Sequence, residues 1–397
     1  MTFRRFLSAA LVCSLAESVL NAGTIELTPQ DDWMKVLHGD GLRPGDEVVL
    51  KAGVYSDARM LTLAHRGSRD RPIIIRGEGA VIKRPDARQN TINMIGVQYL
   101  KLQDIEITGG DTAIRISGTR EYPARSVTLE GLHIHHIGGV GVTCNHEGNT
   151  YAEMHFLRNH IHHTGGHGEG FYLGGNDASA IFHSSIVELN YIHDLKGGTV
   201  SQGDGIELKH GSYGNLVRGN VIHDTKYPGI IVYGTCGEAV NDITGNLIWN
   251  SGDHGIQAAA DAKVSGNVIV YPGSDGIYAS THQGAKPGNL LIHDNIVRVR
   301  GGGRAIRINR PDDGYAGQIS VRDNLFMHER DGVAIRVAPE DGKLLIQRNR
   351  GQGGVEGVKL GVAQFDGRVG MEPIVYAPDE RNPAWTILDR SALPWLE

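Results

Sequence analysis

The chain has 397 residues, a net charge of −6 and 40% hydrophobic residues, which excludes a disordered chain and offers no basic field for nucleic acid. Glycine is abundant at 55 residues, proline modest at 14 and aromatic content low at 6%, a balance suited to many short strands joined by tight turns.

At the start, Arg4 and Arg5 precede a short apolar run, FLSAALVC, followed by the small residues Ser14, Ala16 and Ala22. This reads as an export signal over residues 1–22, with a mature domain at 23–397 that is secreted or periplasmic. The apolar run is shorter than the ~20 residues a membrane span needs, so no membrane partner is expected. Of the cysteines that would remain, Cys144 and Cys236, the strand positions suggest buried small residues in place of a disulfide. DDWMKVLHG, from Asp31, suits a short amphipathic helix capping the N-terminal end of the domain.

The body of the domain is repetitive. An Asn, an apolar pair, a polar turn, a Gly and a short alternating strand recur, as in RGNVIHDTKYPGIIVYG from Arg218 and SGNVIVYPGSDGIYAST from Ser265. The repeated asparagines are Asn159, Asn190, Asn220, Asn246, Asn267, Asn295 and Asn324, spaced 21 to 31 residues apart. That period fits a coil of three short strands, and neither a hexapeptide helix nor a helical array. One coil cannot bury its own apolar face, so the chain is expected to be an all-β, right-handed parallel β-helix of about ten coils. From about 352 the repeat fades, and Trp385, Pro394 and Trp395 would cap the last coil. A capped solenoid needs no partner, so a monomer is expected.

Alternation in the strand after each Gly points Ile206, Leu208, Ile230, Val232, Ile256 and Ala258 inward. The outward ladder then reads Arg115, Thr143, Tyr172, Glu207, Ile231, Gln257, Tyr278, Arg307 and Arg336. A second outward column contains Gly174, Lys209, Tyr233 and Ala259. Carboxylate, ammonium, guanidinium and phenol thus share the middle of one face, an array that an acidic sugar chain lying across several coils would meet.

Histidines recur a coil apart: His133, His135 and His136, then His160, His162 and His163, then His193 and His223. Their place in a repeated corner phrase marks most of them as turn or stacking residues, although such a patch also has the chemistry to bind a transition metal. His167, His210 and His254 lie beside the polar strands and are functional candidates.

LRPGDEVVLKAGVYSD, from Leu42, with RDRPIIIRGEGAVIKRP, resembles the entry coils of the alginate and chondroitin lyases of polysaccharide lyase family six. GDGIELKHGSYGN, from Gly203, is similar to that family's segment of acid, base lysine and Asn, and to a strand of family nine pectate lyases. The resemblance implies β-elimination on an acidic, uronic-acid polysaccharide. It makes Lys209 the base and Asp204 a ligand of calcium, with Glu207 assisting. On their own position on or beside the outward strands, Tyr172, Arg307, His254, Tyr278 and His167 are candidate substrate contacts and His210 a catalytic candidate. Where the family has a catalytic arginine this chain has Tyr233, a phenol placed to act as the acid.

The signature Asp-Pro-His-Asp of mannuronan C5-epimerases is absent, as is the aspartate cluster of polygalacturonases. Epimerase, glycoside hydrolase and non-catalytic carbohydrate-binding β-helix remain open on the same fold. For hydrolysis the available pair is Asp204 and Glu207.

Overall fold

A computed structural model describes residues 22–330, 332–338, 342–357, 363–389 and 393. The expected export signal, apart from Ala22, lies outside the described residues, as do Pro394 and Trp395. Among the described residues no helix is long and apolar enough to cross a membrane.

The chain winds as a parallel β-helix. Three strand columns run along it: two are joined at a sharp corner into one 25-stranded sheet, and the third forms a 12-stranded sheet. A typical coil comprises Leu216–Arg218, Val221–Thr225 and Ile230–Val232, each strand hydrogen-bonded in parallel to its equivalents one coil away. The 12-stranded sheet gives about twelve turns, against the ten expected. The surplus lies at the ends, in coils such as Leu61–Leu63 and Gly354–Glu356 that lack the repeated Asn.

The corner explains the Asn repeat. The residue before each Asn has positive φ, as at Arg158 (54°), Gly219 (63°) and Asp294 (55°), so the chain turns sharply there. Inside the bend each Asn amide donates to the Oδ1 of the next Asn along the axis. The donor–acceptor distances are 2.8–2.9 Å from Asn159 through Asn324 to Asn349, and all eight side chains are buried. Each Oδ1 also accepts a backbone N–H of the preceding coil, for example Asn190 N–H to Asn220 at 2.9 Å. The ladder thus satisfies donors and acceptors that the bend would leave buried and unpaired. A second ladder, Ser185 N–H to Asn215 and Asn215 to Asn241, lines another corner.

The inward residues named from the alternation are fully buried, Ile206, Leu208, Ile230 and Val232 among them, in one core running along the axis. The N-terminal cap is one five-residue helix, Trp33–Leu37, that buries Trp33, Met34 and Leu37 on the first coil. Asp32 caps it by accepting the Lys35 N–H.

Two expectations are corrected. Past Gln352 the repeat loses its sequence signature but keeps pairing, through Gly354–Glu356 and Ala363–Asp366. The tail then runs back along the flank instead of closing over the last coil. Ile374, Ala384 and Leu393 pack on Val221, Leu247 and Val268, and the Asn382 amide donates to the carbonyls of Asn190 and Gly219. Cys144 and Cys236 are unpaired, and only the first of them is buried. Cys236 is exposed, because it lies in the turn beyond strand Ile230–Val232 with φ of 60°.

Candidate active site

The outward ladder of the 12-stranded sheet pairs in the register read from the sequence: Arg115, Thr143, Tyr172, Glu207, Ile231, Gln257, Tyr278, Arg307 and Arg336 are successive partners. The middle coils depart from that reading in one respect. Their outward side chains are largely buried, with Glu207 2% exposed, Lys209 3% and Tyr233 2%, because loops rise around them. The loop carrying His282 folds over Tyr233, stacking the two rings at 5.2 Å, and Ala285 packs on Ala259 and Ala260.

The result is a cleft of about 370 Å³ lined by Tyr172, Asp204, Glu207, Lys209, Tyr233 and His282, among others. His167 and Tyr172 also border a second hollow of about 330 Å³ that holds Arg115 and Asn145, so the depression continues along the face.

At the floor, Lys209 Nζ lies 2.5 Å from Glu207 Oε1, and the Tyr233 hydroxyl donates to the same oxygen at 3.0 Å. The ammonium sits over two phenol rings, 4.5 Å from the centre of Tyr172 and 5.2 Å from that of Tyr233. Burial works against the Lys209 charge, but the charge and hydrogen bond of Glu207 outweigh it and raise the pKa. Burial, reinforced by Glu207, also drives the Tyr233 phenol well above its ordinary value. His282 is pushed down by burial and by Lys209, so it is neutral near neutral pH.

Beneath this pair lies a third acid. Carboxylate oxygens of Glu169, Asp204 and Glu207 all fall within 4.8 Å of one another. Glu169 is 0% exposed, and neither of its carboxylate oxygens has a hydrogen-bond partner; Glu207 Oε2 has none either. Three carboxylates against one ammonium leave excess negative charge in a place water does not reach. Burial, with Glu207 adding to it, raises Glu169 to about 7. Burial and the two neighbouring acids raise Asp204 too.

Sequence alone gives Glu169 little weight, yet the repeat holds its signal. HGEGFYLG and QGDGIELK are the same phrase one coil apart, and the Gly170 N–H donates to the Asp204 carbonyl at 2.9 Å. The flanking glycines are required by the packing. A Cβ on Gly205 would fall 2.4 Å from the Gly229 carbonyl oxygen of the next coil.

The set of oxygens fits a hard divalent cation such as calcium: three carboxylates converge, and three of their oxygens are buried without a partner.

The remaining candidates are more dispersed. Tyr278 and His254 stack at 4.0 Å further along the face, with His254 lowered to about 4 by burial and by the Arg307 charge. Arg307 reaches Asp275 at 3.6 Å, but it lies four strands beyond Glu207, about 19 Å at the usual strand spacing. It therefore cannot touch the sugar unit that meets Lys209. His210 is not among the cleft residues; its Nε2 lies 3.2 Å from the Cys236 sulfur, because the strand has ended and the chain turns away after Lys209. Gln257, a member of the outward ladder, also lines the cleft, with Gln202, Asn176 and Asp253, which nothing in the sequence pattern singles out.

The family model for the right handed beta helix region matches residues 86–256. No curated protein sequence matches the chain. Among solved structures, XylC in complex with xylose superposes with a TM-score of 0.58 at 10% identity, covering 90% of this chain and 88% of that one. The PL6 family alginate lyase AlyGC gives 0.53 at 12% identity over 90% of this chain, which spans 54% of AlyGC. A mannuronic acid specific polysaccharide family 6 lyase from human gut microbiota gives 0.48 at 17% identity, covering 85% of this chain and 83% of that one. These likenesses are of fold: the chain is a right-handed parallel β-helix, an architecture it shares with carbohydrate-active proteins.

Proposed function

We propose that the chain is a polysaccharide lyase that cleaves a uronic-acid polysaccharide by β-elimination, with Lys209 as base and Tyr233 as acid. The observation that carries this reading is the shared hold of Lys209 and Tyr233 on one Glu207 oxygen, at the floor of a cleft that continues along the sheet. Elimination needs a base for the C5 proton, an acid for O4 and neutralisation of the C6 carboxylate. The cleft offers a lysine for the first and a phenol for the second, and its three carboxylates would hold a cation for the third.

In its amine form Lys209 takes the C5 proton. The C5–H electrons form the C4–C5 double bond, the C4–O4 bond breaks, and the Tyr233 hydroxyl gives its proton to the departing oxygen. A phenol held above its ordinary pKa stays protonated at neutral pH and is available for that transfer. The Tyr172 ring faces the Lys209 nitrogen at 4.5 Å and helps to position it. The resting ion pair opposes the base role, because Glu207 favours the ammonium. Calcium held by Glu169, Asp204 and Glu207 would supply positive charge that loosens this pair and offsets the substrate carboxylate. The same proposal places the protein outside the cytoplasm, acting as a monomer on an acidic glycan.

Glycoside hydrolysis is the second reading, favoured by one observation: Asp204 is held towards its protonated form beside Glu207, whose Oε1 is bound by Lys209 and Tyr233. Ultraviolet absorbance of the unsaturated uronate, followed on alginate, pectate, glucuronan and chondroitin with and without calcium, separates the two. A rise supports the lyase. New reducing ends without absorbance establish the hydrolase, and C5 proton exchange with solvent without chain cleavage establishes an epimerase. No reaction at all returns the cleft to a binding role.

A further inference from the structure

On the 25-stranded sheet, away from the cleft, the paired strands His133–His135 and His160–His162 each turn one Ile into the core and two histidines outward. His193 and His223 continue one of these columns on the next two coils. We infer that His133, His160 and His162 form a binding site for a divalent transition metal, with Zn²⁺ the best match.

Two observations carry this. First, the ring nitrogens converge: one from each of the three histidines lies within 4.8 Å of the others, and the Nε2 atoms of His133 and His162 are 2.9 Å apart. Zn–N bonds of about 2.0–2.1 Å place two tetrahedral ligand nitrogens about 3.3 Å apart, so only a small opening of the pair is needed. Second, the rings are held in place. His133 stacks on His160 at 4.7 Å with 3° between planes, and His162 stacks on His193 at 4.9 Å.

The nitrogen donors select a transition metal over calcium, the opposite preference to the carboxylates of the cleft.

The site is also open. Along the column His133, His160, Tyr191, Val221, Leu247 and Val268, the outward residue changes from imidazole to apolar. The C-terminal tail packs on the apolar part, so the histidines stand beyond the stretch that the described tail covers.

The test is a calorimetric titration of chelator-treated full-length protein with Zn²⁺, with Co²⁺ as an optical probe of nitrogen ligation. One equivalent should bind, and His133→Gln and His162→Gln should each weaken it by about 100-fold, while Glu169→Gln in the cleft leaves it unchanged. Absence of saturable binding overturns the site, and so does binding lost in Glu169→Gln but kept in both histidine variants. Neither result bears on the lyase assay, so the two proposals fail separately. Should the histidine variants not fold, histidine acylation of the wild type decides. Zn²⁺ must protect the peptides carrying His133, His160 and His162; equal labelling with and without the ion means the rings only hydrogen-bond to one another.

Discussion

Lys209 and Glu207, two residues apart on one outward face, meet at 2.5 Å inside the cleft, and that contact defines the resting charge of the site. In the proposed mechanism, removing the lysine deletes the base and leaves Glu207 Oε1 with the Tyr233 hydroxyl. Lys209→Ala should lower the rate of unsaturated product formation by about 10³-fold. Lys209→Arg should not rescue it, because a guanidinium keeps its charge but does not give up its proton. Wild-type rates in Lys209→Arg would exclude Lys209 as the base.

The buried acids give the fold a pH dependence of known sign. Glu169 sits at about 7 in the folded chain against an ordinary 4.5, so the folded state holds a proton that the unfolded state releases across that window. The contribution of Glu169 to stability is therefore full below about 4.5 and is lost as pH rises through about 7, by an amount on the order of 3 kcal/mol. Asp204 shifts in the same direction and adds to the fall. His160, His162 and His254, held low by burial, act in the opposite sense between about pH 5 and 7, so the acid contribution is isolated as the stability difference between the wild type and Glu169→Gln. Thermal unfolding in chelator should show Glu169→Gln gaining on the wild type from about pH 5 to about pH 8, and calcium should recover the wild type more at the higher pH. The same difference at both pH values would mean Glu169 is not a source of pH dependence.

The fold was legible because the Asn repeat and the strand alternation are local signals repeated many times. The ladder from Arg115 to Arg336 pairs as written because a solenoid keeps one register for its whole length. What stayed hidden depends on depth and on loops. Sequence alternation labels Glu207 and Tyr233 outward, yet both are buried, Tyr233 under the stacked ring of His282. Glu169 is easily undervalued because a single acid between two glycines reads as a turn until it is aligned with Asp204 one coil later. The apolar pair after each Asn held a further clue. Ile222 and Ile248 face the core, whereas Val221 and Leu247 face outward and need the tail to cover them.

The Asn ladder should behave as one cooperative unit. The Asn246 amide donates to Asn267 and to the Val217 carbonyl, and its oxygen accepts both the N–H and the side-chain amide of Asn220. Asn246→Ala leaves several of these buried groups unpaired and should cost about 3–5 kcal/mol in denaturant unfolding. Because Asn220 and Asn246 share bonds, the double alanine variant should cost less than the sum of the singles. Strict additivity would show that each Asn acts alone at its own corner.

The returning tail supplies the last prediction. Val221, Leu247 and Val268 would be an exposed apolar stripe on a parallel strand column, a surface prone to association, were Ile374 and Ala384 not packed on it. Asn382 fixes the tail through the carbonyls of Asn190 and Gly219, 192 and 163 residues earlier in the chain. Asn382→Ala should leave the helix wound but loosen the strap, giving a Tm lower by a few degrees and about 1–2 kcal/mol of lost stability. Truncation after residue 368 should go further, with binding of a hydrophobic dye and self-association seen by sedimentation while the far-ultraviolet β signal is retained. A truncated chain that stays monomeric and dye-free would mean the stripe needs no cover, and the tail would then be an ornament on a solenoid already complete at Asp366.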